Sequence, residues 1–214
     1  IQKISESGAE VIACDIMFVD WADTTDNNIL TNSIVNSGNI VSPILFELNM
    51  NNKIQVGVPD EFGLELYPKF KMNGFLNAHS IIVKPLLEII DQSAGMGFVN
   101  VIPDPDGILR RIPLIAQLNG KMIPSFFLQS VCTYFDYDLD KITIASGSLI
   151  ILEDFGTYLD GSETDLRIPL DGNGNLIVNL AGKYQIKNYP SYSAGDIINA
   201  DNIPDFSGKL VIFS

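Results

Sequence analysis

The sequence predicts a mixed α/β fold: a central sheet of parallel and antiparallel strands with flanking helices and β-hairpin insertions. Three observations predict it. The chain opens with a strand, a helix and a strand joined by short connections, which is typical of a parallel βαβ unit. Clusters of Pro, Asp, Asn and Gly at residues 103–107 and 171–175 separate apolar runs, which indicates hairpins. An apolar strand over residues 209–213 closes the chain.

The opening unit is the clearest parallel signal. Residues 10–18 are largely β-branched and apolar, so we expect a strand that is buried on both faces. Asp26 is placed to cap a helix that runs to about residue 37, where Gly38 stops it. Residues 39–48 form a second apolar run, which predicts a strand parallel to the first.

Local signals predict the rest of the chain. After the opening unit we expect a turn at 50–53, a strand over 54–58 and a helix within 81–92 that starts near Pro85. A hairpin of strands 97–102 and 108–118 about the 103–107 turn follows, with a second hairpin at Asn119-Gly120 and a helix from Ser125 to about 135. The last part is expected to form strands 167–170 and 176–180 about the 171–175 turn, a short helix capped by Ser193, and a strand over 209–213. No linker or internal repeat divides the chain, so we expect one domain over residues 1–214.

Composition excludes several classes of protein. The 214 residues include 26 acidic and 13 basic side chains, a formal net charge of −13, and 46% of them are hydrophobic. A disordered chain has fewer apolar residues, and a nucleic-acid-binding chain has a basic surplus. A transmembrane helix needs a run of about 18 apolar residues, and the sequence has none. We therefore expect a globular domain without nucleic acid as a partner.

The acidic surplus is concentrated in two stretches. Residues 1–26 hold six acidic side chains against one lysine, and residues 136–165 hold eight against one lysine. Such patches either bind cations or basic partners, or they are solvated surfaces that keep the protein soluble. The sequence leaves both interpretations open.

The cysteines and the histidine offer little chemistry. Cys14 and Cys132 lie in apolar runs, so we expect buried thiols, with a disulfide between them as the alternative. His79 is the single histidine and has no nucleophile at a familiar spacing, and a zinc site is not expected. No signal peptide opens the chain, and both ends fall inside predicted elements, so we expect a piece of a longer protein.

Carboxylates at the end of the first strand are the first candidate site. Asp15, Asp20, Asp23 and Asp26 follow the strand, where open α/β sheets bind ligands, and such a cluster suits Mg²⁺ or Ca²⁺. A phosphotransfer site needs a second Asp two residues after Asp15, but Met17 stands there. A capped, solvated loop is the competing interpretation.

The 103–111 segment is the second candidate site. Asp104 and Asp106 precede Arg110 and Arg111, which predicts ion pairs across the turn. Because Arg111 adjoins an apolar run, we expect it to be partly buried and to need a carboxylate, or else to bind an anion. Asp104 and Asp106, like the 171–175 segment, alternate as in a calcium loop, but essential ligands are missing, so tight turns are expected.

Several segments together resemble the CHASE2 sensor domain family. These are, in family order, residues 11–18 ending in Asp-Ile-Met-Phe, the 97–114 run Gly-Phe-Val-Asn-Val-Ile-Pro-Asp-Pro-Asp-Gly-Ile-Leu-Arg-Arg-Ile-Pro-Leu, the Ile-Pro-Ser-Phe of 123–126, the 168–179 segment, the Tyr-Pro-Ser-Tyr-Ser of 189–193 and the Gly-Lys-Leu-Val-Ile of 208–212. The resemblance covers nearly the whole chain, and Ser214 departs from the Gly that is frequent there.

The resemblance implies an extracytoplasmic sensor domain of a bacterial membrane receptor. Such domains are followed by membrane helices and then by a cyclase, a kinase or a cyclic-dinucleotide enzyme. The implied function is a non-catalytic input domain that senses a small-molecule ligand or a state and is tethered to the membrane in the full-length protein, with a homodimer as an expected assembly. The resemblance implies no cofactor, and it assigns no binding residue.

Polar groups near strand ends give the candidate ligand-binding residues, which are Asp15, Asn100, Asp106, Arg110 and Arg111. Two other functions stay open. One is a metal-assisted hydrolase that uses the Asp15–Asp26 cluster, and the other is a purely structural dimerisation module.

Overall fold

The computed structural model describes residues 1–20, 24–48, 76–118, 121–145, 148–157, 161–179, 189–200 and 202–214. The helices in these ranges are α1 (Gln2–Glu6), α2 (Thr24–Ser37), α3 (Leu87–Ile90), α4 (Phe126–Tyr134) and α5 (Ala194–Asn199). The strands are β1 (Val11–Cys14), β2 (Ile40–Leu48), β3 (Leu76–Val83), β4 (Gly95–Phe98), β5 (Arg111–Pro113), β6 (Ile115–Leu118), β7 (Lys121–Pro124), β8 (Ile142–Ala145), β9 (Leu149–Thr157), β10 (Glu163–Pro169), β11 (Asn175–Ile177) and β12 (Leu210–Phe213).

The first half of the central sheet is parallel. Strands lie in the order β12, β1, β2 and β4, with β1 parallel to both of its neighbours and β4 parallel to β2. The predicted βαβ unit is confirmed, since α2 connects β1 to its parallel neighbour β2. The mixed α/β class is confirmed as well, because β2 continues into an antiparallel pairing with β3, and β6 and β7 extend the sheet beyond it.

Pro43 marks the point at which β2 changes neighbours. The carbonyl groups of Ile40 and Ile44 accept hydrogen bonds from Ala94 and Val99, on the β4 side. Because backbone groups alternate along a strand, Pro43 faces the opposite edge. On that edge β1 pairs only as far as Val41, and β3 pairs only from Leu45 onward. A proline, which has no N–H to donate, therefore lies in the central strand at a place where no donor is needed.

Helices cover both faces of the parallel half. One face of β1 and β2 packs against α1, α2, α3 and α5 through a cluster that includes Ile4, Ile34, Ile89 and Ile197. The other face, with Val11 and Val41, packs against Phe126 of α4. All four residues of β1 are buried, as expected for a parallel strand between two helical layers.

A smaller antiparallel sheet covers the far side of α4. Strands β8, β9 and β10 lie in the order β10, β9, β8, and their buried Ile150 and Leu152 pack against Leu128 and Cys132 of α4. This sheet occupies most of the acidic 136–165 stretch, for which the sequence predicted only a charged surface or a binding patch.

The hairpin predicted about the 103–107 turn is wrong in its strand pairing. The turn is present, but β4 before it pairs with β2, and β5 after it pairs antiparallel with β11. The 171–175 turn is likewise present, yet β10 before it pairs with β9 and β11 after it pairs with β5. Turn residues reverse the chain locally, but long-range packing selects the partner strands.

Other local predictions have mixed outcomes. Ser125 and Ser193 cap α4 and α5 as predicted, each accepting a hydrogen bond from the backbone N–H three residues later. The helix expected to start near Pro85 within 81–92 is confirmed but is shorter than predicted, since α3 spans Leu87–Ile90 and the residues up to Val83 belong to a strand. Asp26 is inside α2, which begins at Thr24, so it is not the cap. The turn at 50–53, the strand at 54–58 and Asn119-Gly120 lie outside the described residues.

Candidate functional site

The 103–107 turn positions the first group of candidate residues. The backbone N–H of Gly107 donates to the carbonyl of Asp104 over 2.7 Å, and Gly107 has a φ of +80°, which favours glycine. The carboxylate of Asp106 accepts from the N–H of Ile108 at 3.1 Å. The carboxylates of Asp104 and Asp106 thus lie on a fixed backbone immediately before the two arginines.

Both arginines form the predicted ion pairs with turn carboxylates. Arg110 is 3.1 Å from Asp104 and 2.8 Å from Asp106. Arg111 contacts Asp104 at 2.5 Å and Asp171 at 3.3 Å. An external anion would have to displace these carboxylates from the guanidinium groups.

The pKa values of this network follow from its contacts. The hydrogen bonds from Arg110 and from the Ile108 N–H hold the pKa of Asp106 below its usual range, and the hydrogen bonds to Asp106 and Asp104 raise the pKa of Arg110. Burial raises the pKa of Asp171, but hydrogen bonds from the N–H groups of Asn175 and Asn173, with the Arg111 charge, outweigh it and lower the pKa overall. Asp106, Asp171 and Arg110 are therefore ionised at neutral pH.

The 171–175 segment is a tight turn, as predicted. Asp171 Oδ1 accepts from the N–H groups of Asn173 and Asn175, each at 2.9 Å, and the N–H of Gly174 donates to the Asp171 carbonyl at 3.0 Å. Arg111 therefore connects two turns that are 60 or more residues apart in the chain, at residues 103–107 and 171–175.

Asp15 and Asn100 lie elsewhere in the described structure. Asp15 is exposed after β1, its N–H donates to the carbonyl of Phe213 at 2.8 Å, and desolvation raises its pKa. Asn100 is buried and binds the backbone of Phe46. Neither residue joins the Asp–Arg network, so the contacts of the described residues bring together Asp106, Arg110 and Arg111 and not the full candidate set. Ligand binding by these five residues stays a prediction.

The acidic residues after β1 are only partly described. Asp23 lies outside the described residues, and of Asp26 only the helical backbone is described. His79 belongs to β3, but its side chain is likewise not described. In the part of the chain that the structure describes, no group of three or more His, Cys, Asp or Glu side chains is placed to hold a metal ion.

An open cleft of about 670 Å³ lies at the amino-terminal ends of the parallel strands. We call it the α4 cleft. One wall comes from the sheet and the turns that enter it, and the other from the last turn of α4 and the segment that follows. It is lined by Glu10, Val11, Gly38, Asn39, Ala94, Gln129, Cys132, Thr133, Tyr134, Asp136, Tyr137, Asp138 and Leu139.

Two local features shape the α4 cleft. Gly95 leaves room for the Gln129 side chain of α4 against β4, since a Cβ there would lie 2.3 Å from Nε2 of Gln129. Asp136 has a φ of +49°, a left-handed conformation that turns the chain sharply after α4.

Two titratable groups of the cleft have raised pKa values. Burial in the adjoining core raises the pKa of the Cys132 thiol to about 12. Burial, with nearby thiol and carboxylate charge, raises the pKa of Tyr137 to about 12 as well.

The sequence predictions missed this cleft, although one signal pointed to it. Glu10 belongs to the acidic stretch 1–26, and Asp136 and Asp138 belong to the acidic stretch 136–165. The fold brings the two stretches together at the cleft. Their convergence depends on α4 crossing the sheet, which no local pattern encodes.

Comparison with known proteins identifies the family. A family model of the CHASE2 domain matches residues 1–214, which is the whole chain. The chain belongs to the CHASE2 domain family. CHASE2 domains are extracellular sensor domains, so the predicted resemblance is confirmed. Searches of curated proteins and of solved structures found no significant match. In the described part of this CHASE2 domain, no helix is long and apolar enough to span a membrane.

Proposed function

We propose that this CHASE2 domain is the extracytoplasmic input domain of a bacterial membrane receptor, that it senses a small molecule or a state, and that it has no catalytic turnover. The observation that carries the proposal is the match of a sensor-domain family to all 214 residues. The α4 cleft supports it, because 670 Å³ is within the usual volume of small-molecule sites, about 300–1,000 Å³.

Signalling by such a domain requires a ligand that prefers one of its arrangements. A ligand that binds two conformations equally shifts neither population, whatever its affinity. The α4 cleft is suited to such a preference, because one wall belongs to the central sheet and the other to α4 and the turn after it. Closing or opening the cleft would move α4, which the central sheet and the β8–β10 sheet both contact.

A thermal-shift screen of the 214-residue chain against small metabolites tests ligand sensing. A ligand that binds only the folded form raises the free energy of unfolding by about 2.7 kcal/mol at one hundred times its Kd. We expect at least one compound to raise the unfolding midpoint in a saturable manner. Failure of a broad library to do so would favour a purely structural module.

The hydrolase alternative requires its own assay. The chain is incubated with Mg²⁺, Mn²⁺ or Ca²⁺ and generic phosphoesters, alongside an Asp15→Asn variant. We expect no metal-dependent turnover. Turnover that is abolished in Asp15→Asn would contradict the non-catalytic proposal.

The location is tested in the full-length receptor. A membrane-impermeant amine reagent is added to intact spheroplasts, and labelling of the exposed Lys141 and Lys209 is read by mass spectrometry. We expect labelling without lysis. Labelling only after lysis would place the domain on the cytoplasmic side.

A further inference from the structure

The α4 cleft carries a concentration of negative charge. Its lining includes three carboxylates, those of Glu10, Asp136 and Asp138, and the described residues that line it include no lysine or arginine. The cleft also faces the carboxyl-terminal end of α4, which is the negative end of the helix dipole. Each of these features favours a cation in the cleft and disfavours an anion.

The hydrogen-bonding groups of the lining point to a donor-rich ligand. The side-chain donors of three residues are already engaged: Asn39 Nδ2 donates to the carbonyls of Ala9 and Glu10, Gln129 Nε2 donates to Thr133, and the Tyr134 hydroxyl donates to the carbonyl of Gly208. The Tyr137 hydroxyl is similarly engaged with the carbonyl of Glu153 at 2.7 Å. What the lining side chains retain is mainly acceptor capacity.

Asn39 adds an unsatisfied acceptor to this wall. Its Oδ1 atom is buried and has no hydrogen-bond partner among the described residues, although its Nδ2 atom has two. Buried acceptors are ordinarily satisfied, because an unpaired one destabilises the fold. The engaged Nδ2 atom leaves Asn39 no free side-chain donor for an anion in the cleft.

Two tyrosines are among the residues that line the cleft. Tyr134 and Tyr137 both line it, and their hydroxyl groups are fixed by backbone carbonyls. An aromatic ring attracts an ammonium group that lies over its face. An alkyl chain with an ammonium end therefore suits the lining as a whole.

We propose that the α4 cleft binds a small organic cation, an alkylamine or diamine, with its ammonium group at the Glu10 and Asp136 carboxylates. The inference rests on the proposed sensing function and names the chemical class of the ligand. It unites the two acidic stretches in one role, since each supplies one of these carboxylates.

Calorimetric titration with three four-carbon probes tests this inference. At pH 7 and 150 mM NaCl, 1,4-diaminobutane is compared with 1,4-butanediol and with succinate, which differ mainly in charge. We expect the diamine to bind at least tenfold more tightly than the diol, and succinate not to bind. Equal binding of the diol, or preferred binding of succinate, would overturn the assignment of a cation.

Matched variants locate the binding. Glu10→Gln combined with Asp136→Asn removes two charges at the cleft, and asparagine tolerates the positive φ at position 136. Glu163→Gln removes a charge from an exposed position on β10, outside the lining. We expect the double variant to weaken diamine binding tenfold or more and Glu163→Gln to change it less than twofold. Circular dichroism and urea unfolding confirm that each variant is folded.

Three further outcomes separate this inference from the proposed function. If the diamine does not bind, but Ca²⁺ binds and its binding is weakened tenfold or more by the double variant, the assignment of an organic cation is wrong. If a neutral or anionic compound from the screen binds the cleft, sensing stands and the cation assignment fails. If no compound stabilises the domain at all, the proposed function itself fails.

Discussion

The side-chain amide of Asn100 forms two hydrogen bonds with the backbone of Phe46, one from its Nδ2 to the carbonyl and one to its Oδ1 from the N–H, each 2.8 Å long. β4 ends at Phe98, while its neighbour β2 continues to Leu48. The Asn100 side chain therefore substitutes for a further residue of β4. It satisfies backbone groups of β2 that would otherwise be buried without partners.

Replacement of Asn100 tests this role. Asn100→Ala leaves a buried N–H and a buried carbonyl unpaired, so we expect a loss of about 2–4 kcal/mol in the free energy of unfolding. Urea unfolding measures it, with Asn36→Ala on the exposed side of α2 as the control, for which we expect a change of about 0.5 kcal/mol or less. A loss below about 1 kcal/mol would show that water replaces the amide.

Gly97 is the second position where the fold depends on one residue. A Cβ at Gly97 would lie 2.5 Å from the Cα and N atoms of Phe126, at the first turn of α4. Because backbone atoms cannot yield as a flexible side chain does, we expect Gly97→Ala to cost about 3 kcal/mol. Gly172→Ala is the control, since a Cβ there meets no atom within 4 Å. Similar unfolding midpoints for the two variants would contradict the close packing of α4.

The hydrogen bonds that Asp171 accepts from the N–H groups of Asn175 and Asn173, together with the charge of Arg111, predict a dependence of stability on pH. The pKa of Asp171 is lower in the folded chain, so its contribution is fully present above the unfolded pKa of about 3.9 and is lost as the pH falls through the folded value. We expect the stability difference between the wild type and Asp171→Asn to shrink below pH 4. Urea unfolding at pH 2.5–7 measures it. A stability difference that stays constant over this pH range would show that the pKa of Asp171 is not lowered in the folded chain.

A double-mutant cycle isolates the Arg111–Asp171 pair itself. The Arg111 side chain is 42% exposed, so we expect a coupling free energy of only about 0.2–1 kcal/mol, reduced further in high salt. The cycle compares Arg111→Gln, Asp171→Asn and the double variant. A coupling free energy of zero would show that the two turns are held together by the β5–β11 pairing alone.

The two cysteines should be unreactive in the folded protein. Burial raises the pKa of Cys14 and raises that of Cys132 to about 12, and both side chains are almost inaccessible. At pH 8 the reactive thiolate is therefore scarce. We expect iodoacetamide to label neither residue within the time that it labels both in guanidinium chloride, as read by mass spectrometry. Rapid labelling of Cys132 in the native chain would indicate that the α4 cleft opens far enough to expose the Cys132 thiol to solvent.

Capping and turn chemistry were predictable because they depend on neighbouring residues. Ser125 and Ser193 begin helices, and Gly107 completes a turn, through contacts that span two to three positions. Strand pairing was not predictable in the same way. β5 pairs with β11 across more than 60 residues, and no turn residue specifies a partner at that distance.

The β8–β10 sheet was missed for a different reason. Its buried residues, such as Ile150 and Leu152, alternate along the strand β9, while the 136–165 stretch as a whole holds eight acidic side chains, among them Glu153 and Asp154. Charge was therefore the more visible signal. The candidate residues Arg110 and Arg111 were correctly expected to meet carboxylates, whereas the α4 cleft required knowledge of how α4 lies on the sheet.

β2 belongs to both halves of the central sheet, and this has a consequence for how the domain opens. A sheet whose halves shared no strand could exchange its amide hydrogens with solvent one half at a time. Here β2 (Ile40–Leu48) is hydrogen-bonded to strands of both halves, so neither half can unfold without breaking hydrogen bonds to β2. The N–H groups of this strand should therefore be among the last to exchange, and they should do so together, at the free energy of global unfolding.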